Sequence, residues 1–343
     1  MTLALGAAAL VWLSLVAYGV FGGADFGAGI WDLLAIGDTA ERQRNAISRA
    51  MGPVWEANNV WLIYVIVGSF TAFPIVFSTI STALSIPLTL ALIGIVMRGS
   101  AFIFRAHGAH ADGHVDPWEW IFSAASVITP FLLGMCAAAI AGGQIRVHND
   151  VVQADFWRTW TTPFAFACGA FALGICACLA ATYLTVEAVD AQDAVLTEIF
   201  RWRAILSGAV TAVIGAFALV MSSGDAPILW HGLIHRALPV TLLAMAVGLV
   251  TAAALLLRRF HLARMMLMIE IALILVAWAV AQAPALIVPD VTIDNAASPA
   301  ASLQGFLIAS AFGMLFFLPS LWFLFSVFKG QNPAAREKTA SEQ

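Results

Sequence analysis

The sequence predicts an all-α integral membrane protein with nine transmembrane helices, its N-terminus outside and its C-terminus inside. Three observations carry that prediction. Of 343 residues, 62% are hydrophobic and only 10% charged, with a mean hydropathy of +0.92; a soluble domain carries roughly 25% charged residues. The apolar residues gather into nine runs: 4–34, 48–73, 75–98, 118–141, 163–186, 203–222, 237–257, 264–288 and 304–328. These approach or exceed the roughly 20 residues needed to cross a bilayer. None of them alternates apolar and polar residues, as the strands of a membrane barrel must.

The elements follow in order. The first run lacks a basic leading segment and continues too long before a polar break to be a signal peptide. Phe73-Pro74 separates the second run from the third, because proline interrupts a helix. The remaining runs are separated by short polar segments. Residues 1–328 form one polytopic membrane domain, and 329–343 a polar inner tail. Orientation comes from the excess of basic residues on the cytoplasmic side. With the N-terminus outside, the inner segments hold 13 of 16 basic residues: Arg42, Arg44, Arg49, Arg98, Arg105, Arg201, Arg203, Arg258, Arg259, Arg264, Lys329, Arg336 and Lys338. Only Arg146, Arg158 and Arg236 fall outside. Merging two spans would scramble this partition. Trp118, Trp120, Trp157, Trp160, Trp202 and Trp230 flank the runs, as an interfacial belt should.

Composition also excludes functions. A net charge of −4 without a basic patch argues against nucleic acid. Cys136, Cys168, Cys176 and Cys178 lie inside apolar runs without disulfide or metal spacing, so they read as packing residues. The seven histidines, His107, His110, His114, His148, His231, His235 and His261, all fall in loops or at span ends. A membrane-embedded haem held by histidines of this chain is therefore not expected.

Ionisable residues inside a span are costly and point to function. Asp25, Asp32, Glu56 and Glu270 are the candidates. At about 1.5 Å per residue, Glu56 stands roughly 12 Å and Glu270 roughly 9 Å from the inner ends of their predicted spans. Asp25 sits near the inner end of the first helix, with Asp32 closer to the interface. All four belong to the cytoplasmic half, the pattern of a proton entry path. The alternative is a set of structural carboxyls paired with helix-end amides or loop arginines. Gly52-Pro53-Val54-Trp55-Glu56-Ala57-Asn58-Asn59 places a carboxylate and two amides within four residues, a polarity that must face protein or water rather than lipid. Gly23 and Gly27 have the spacing that lets another helix approach closely. Together with Trp55, Trp61 and the amides they suggest a face for a partner subunit.

These residues resemble a known family. Ala24-Asp25-Phe26-Gly27-Ala28-Gly29 looks like the end of the first helix of subunit II of cytochrome bd-type quinol oxidases, and Gly52 to Ile63 looks like its second-helix signature. Arg98-Gly99, Phe104-Arg105, Ala181-Thr182-Tyr183-Leu184, Pro289-Asp290-Val291-Thr292 and Asn295-Ala296-Ala297 are similar to later segments, in order. In this chain Trp55-Glu56 stands where the family has tryptophan–aspartate. The resemblance implies two four-helix bundles plus one peripheral helix in a bacterial cytoplasmic membrane. It implies a haem-bearing subunit I that holds haem b, haem d or variant haems and the quinol site, with small accessory subunits and lipid as further partners. It implies no cofactor on this chain. The complex would oxidise quinol, reduce dioxygen and draw protons from the cytoplasm, with Asp25, Glu56, Asn58, Asn59 and Glu270 on the proton path. A proton-coupled transporter would show two inverted halves with matching broken helices, which the sequence lacks. A purely structural subunit of a redox complex is the third reading.

Overall fold

A computed structural model describes residues 2–51, 55–107, 117–149 and 151–329. The described side chains exclude Met51, Trp55, Glu56, Ala57, Arg105, Ala106, His107 and 324–329. The expected motif residues Gly52, Pro53 and Val54, the histidines His110 and His114, and the tail from 330 onward lie outside the described residues.

The chain is almost entirely helical. In order come α1 Thr2–Leu33, α2 Ala40–Met51, α3 Trp55–Ala72, α4 Pro74–Ala83, α5 Ser85–His107 and α6 Pro117–Ala141. A small hairpin, β1 Arg146–His148 with β2 Val151–Gln153, leads to α7 Pro163–Asp190, α8 Ala194–Asp225 and α9 Pro227–His231. One π turn, Gly232–Arg236, joins α9 to α10 Leu238–Leu256, and α11 Phe260–Gln282 follows. A second hairpin, β3 Ala285–Ile287 with β4 Val291–Thr292, then precedes α12 Ile293–Ala296 and α13 Ala300–Lys329.

Local chemistry sets several starts. Thr162 caps α7 by accepting from the Ala165 amide, with Pro163 in the first turn, and Asp193 caps α8 through the Leu196 amide. Both satisfy donors that the first turn leaves unpaired. Among the described residues, eight helices are long and apolar enough to cross a membrane. A ninth arises if Asn58–Ala72 and Pro74–Ala83, bent by 117°, form one broken span.

One predicted boundary is corrected. The expected third run, 75–98, is two elements. Phe73-Pro74 breaks the chain as anticipated, but Leu84 then leaves helical geometry (φ −114°, ψ 26°). The spanning helix starts at Ser85 and continues past 98. Arg98, expected at an inner helix end, therefore lies well inside α5. The described residues of the expected second run, 48–73, fall in α2 and α3, with Glu56 in α3.

Contacts sort the loops into two ends. At one, Arg42 pairs with Asp193 at 2.6 Å and Arg258 with Glu198 at 2.9 Å, and the Arg203 guanidinium donates to the Leu34 carbonyl. At the other, Arg146 binds Asp290 at 2.7 Å, the Val288 amide donates to Ile140 and the Ser298 amide to Ala72. Three of the basic residues assigned to the inner side by sequence, Arg42, Arg203 and Arg258, thus make contacts at one end. Apolar clusters fill both halves, one built around Leu84, Met135, Ile145 and Ile287, the other around Phe26, Leu184, Leu196 and Phe200.

Candidate functional site

The polar centre of the molecule lies where α1, α5, α6 and α7 meet. The last two turns of α1 are rich in glycine and alanine, and Asp25, Phe26, Gly27, Ala28, Gly29, Ile30, Trp31 and Asp32 are all buried. Gly27 explains why. A Cβ there would stand 1.8 Å from the Cys176 carbonyl oxygen and 2.7 Å from Ala180 Cβ, so the backbones of α1 and α7 touch. Gly23 faces Leu179 and Cys176 on the same helix. Trp31 ties the junction by donating to the Ala177 carbonyl at 2.8 Å.

Against this junction α5 delivers Arg98. Its Nη1 donates to Asp25 Oδ2 at 2.8 Å, its Nη2 to the Asp25 carbonyl at 2.8 Å, and its Nε to Ser126 Oγ of α6 at 3.0 Å. Ser126 in turn donates to the Phe122 carbonyl. Both charged side chains are about 4–5% exposed. The guanidinium lies 5.0 Å from the ring centroids of both Phe26 and Phe122, a placement in which ring faces attract a cation. A buried charge is tolerable only when paired and hydrogen-bonded, and Arg98 directs its donors at three acceptors. Asp25 Oδ1, by contrast, is buried with no hydrogen-bond partner among the described residues.

The other expected residues distribute unevenly. Asn58 is buried and donates to the Phe21 carbonyl of α1 at 3.3 Å, so it adjoins the centre. Asn59 is half-buried. The side chains of Trp55 and Glu56 lie outside the described residues. Glu270 is elsewhere, between α11 and α10: Thr251 Oγ1 lies 3.3 Å from one of its oxygens, and Gly248 makes room for the carboxyl. An apolar cluster of Val20, Cys178, Leu179, Leu267 and Ile271 packs between α1, α7 and α11. Asp32, expected near the interface, is buried. The residues expected to face a partner have contacts within this chain. Gly23 and Gly27 are consumed by the internal contact with α7, and Trp61 is buried edge-on against Phe317 of α13 at 5.3 Å. Small residues allow close approach, but here the approaching helix belongs to the same chain.

Sequence reasoning missed Arg98 and Ser126 as partners of Asp25. The available signal was the carboxylate itself, since a buried acid asks for a cation. Arg98 escaped because the third span was placed ten residues early. Among the described residues no group of three or more His, Cys, Asp or Glu could hold a metal. The described histidines sit at the end of α5, in β1, in α9, in the π turn and at the start of α11, not in the interior of a span.

A family model described as cytochrome bd terminal oxidase subunit II matches residues 3–328. The chain belongs to that family. Members similar to it include a cytochrome bd ubiquinol oxidase subunit 2 of Bacillus subtilis (strain 168), 32% identical over 41% of this chain and 44% of that one. Another is the cytochrome bd-I ubiquinol oxidase subunit 2 of Escherichia coli (strain K12), 23% identical over 61% of this chain and 54% of that one. The aligned stretches thus span about half the length of these curated relatives. The fold is shared with a chain in the structure of bd oxidase from Geobacillus thermodenitrificans, with a TM-score of 0.77, 22% identity, and coverage of 97% of this chain and 100% of the other.

Proposed function

We propose that this chain is the haem-free subunit II of a cytochrome bd-type quinol:dioxygen oxidoreductase in a bacterial cytoplasmic membrane. It has the N-terminus outside, the C-terminus inside, and two four-helix bundles plus one peripheral helix. Haem b and haem d, or variant haems, and the quinol site belong to a haem-bearing subunit I, with small accessory subunits and lipid completing the assembly. The observation that carries this reading is the family match over nearly the whole chain. The absence of histidines from the span interiors among the described residues supports haem placement on the partner.

In this reading the chain contributes to proton uptake from the cytoplasm. Asp25 is the central group, and its surroundings favour the role: one carboxylate oxygen is held by Arg98 while the other is left to a mobile donor. Asn58 stands beside it, and Glu56 and Asn59 share the first turn or two of the neighbouring helix. Glu270 forms a separate branch toward α10. Arg98 and Ser126 position Asp25 rather than carry protons, because a guanidinium does not deprotonate in a protein. The broken α3–α4 element is the one feature a transporter would share, but such folds repeat it in a second half, and no second bent pair occurs among the described residues.

The test is quinol-driven oxygen consumption by membranes from cells lacking this chain. Complementation with the wild-type sequence should restore it, together with haem absorbance. Restoration of growth or transport without oxygen consumption would sink the reading.

A further inference from the structure

Asp25 is not alone on its face of α1. Tyr18 and Gly22 precede it at the spacing that lines one helical stripe. Gly22 is what lets the tyrosine lie along that stripe. A Cβ at Gly22 would stand 2.9 Å from Tyr18 Cε2 and 3.0 Å from Cδ2, so the ring covers the glycine. The phenol is thereby turned toward the Asp25 end of the stripe. Tyr18 is 8% exposed, yet among the described residues its hydroxyl has no hydrogen-bond partner, and neither has Asp25 Oδ1.

Two unpartnered buried oxygens on one stripe of one helix form an unusual pair. Each would cost free energy if left dry. The hydroxyl can donate and accept, and the carboxylate oxygen can accept. Between them they offer the two polar partners that a buried water requires at minimum.

We propose that Tyr18 and Asp25 bind a water between Tyr18 Oη and Asp25 Oδ1, and that this water and the phenol continue the proton path beyond Asp25. The step rests on the proton-uptake reading above. It adds one water and one phenol to the path, on the Tyr18 side of Asp25. The transfers balance. Asp25 gives its proton to the water oxygen, the water passes one of its own protons to Tyr18 Oη, and Tyr18 releases its original hydroxyl proton to a second water molecule beyond it. Every O–H bond broken is matched by one formed, and no electron changes hands. Arg98 stays charged throughout and holds Asp25 in register.

The experiment uses the assembled complex. A high-resolution density map should show an ordered water within hydrogen-bond distance of both oxygens. Tyr18→Phe keeps the ring over Gly22 and removes only a hydroxyl without a partner among the described residues, so accumulation and haem content should stay normal. Quinol-driven turnover should fall about tenfold, the value of one lost bridging hydrogen bond. Gly22→Ala, which pushes the ring aside, should slow turnover in the same direction. A dry gap between the two oxygens, or a Tyr18→Phe complex that turns over at the wild-type rate, overturns the proposal. The underlying reading fails separately: a complex in which Asp25 itself is replaced without loss of turnover refutes proton uptake through Asp25, whether or not the water is present.

Discussion

Removing one member of the Asp25–Arg98 pair should be far more damaging than removing both. In Arg98→Gln the carboxylate stays about 5% exposed and loses the donors at 2.8 Å to its side chain and to its own carbonyl. With charge centres roughly 4 Å apart and an effective dielectric near 20, the lost attraction is about 4 kcal/mol. That agrees with the roughly 3–5 kcal/mol seen when a buried pair is broken from one side. Asp25→Asn leaves the guanidinium uncompensated and should cost a similar amount. The double substitution Asp25→Asn/Arg98→Gln has no buried charge, keeps amides that can bond to each other and to Ser126, and should recover most of the loss. The assay is the thermal midpoint of haem retention in the purified complex. Each single variant should fall by roughly 5–10 °C and accumulate poorly, with the double variant close to wild type. Single variants as stable as wild type, or a double variant whose loss is the sum of the two, would refute the claim that these residues are coupled in a dry site. The double variant also separates stability from chemistry: intact haem with slowed oxygen reduction is the outcome expected of a proton-path residue.

Further outcomes follow from the same arrangement. Glu56→Gln should slow quinol-driven oxygen consumption without loss of haem, and Glu56→Asp, which restores the family's usual acid, should retain much of the activity; full activity in Glu56→Gln would move the path to Glu270. Gly27→Leu cannot fit, because its Cβ would stand 1.8 Å from the Cys176 carbonyl oxygen, so α1 and α7 must separate and the complex should fail to assemble, read as loss of both subunits from the membrane. At the opposite end, the Arg146 guanidinium beside Asp290 holds that carboxyl below the usual carboxylate range. A depressed value means the stabilisation is present above the ordinary pKa of about 3.9 and is lost as pH falls through the lower folded value. Hydrogen exchange of the β3–β4 hairpin should therefore rise below about pH 4 in the wild type, and Asp290→Asn should show the raised exchange at neutral pH with no further acid step.

Much of this molecule is legible from hydropathy. The predicted runs 118–141, 163–186 and 237–257 meet α6, α7 and α10 within a few residues, because continuous apolar stretches bounded by polar segments leave the chain little choice in a bilayer. The misses occur where apolar composition continues through a backbone break. Nothing in hydropathy distinguishes Leu84, where the helix ends, from the residues around it, and the ten-residue shift that follows is what hid Arg98. Likewise, α8 begins at Ala194 rather than 203 and α11 ends at Gln282 rather than 288. A polar turn can continue a helix beyond the membrane, and Pro284 can end one while the sequence is still apolar. The site was half legible. Asp25 and Asn58 stand out as polar residues in apolar runs, but whether Gly23 and Gly27 meet this chain or another is a question of tertiary contact that small-residue spacing does not answer.

The central claim, a haem-free subunit in a haem-bearing oxidase, is met most directly by one spectrum. The complex is purified through a tag on this chain and its visible absorbance recorded. The chain is then freed from its partner in detergent and recorded again. The account predicts reduced-minus-oxidised haem bands in the complex and none in the separated chain. Haem bands that remain with this chain, or a tagged chain that comes away colourless and without a partner subunit, would contradict it.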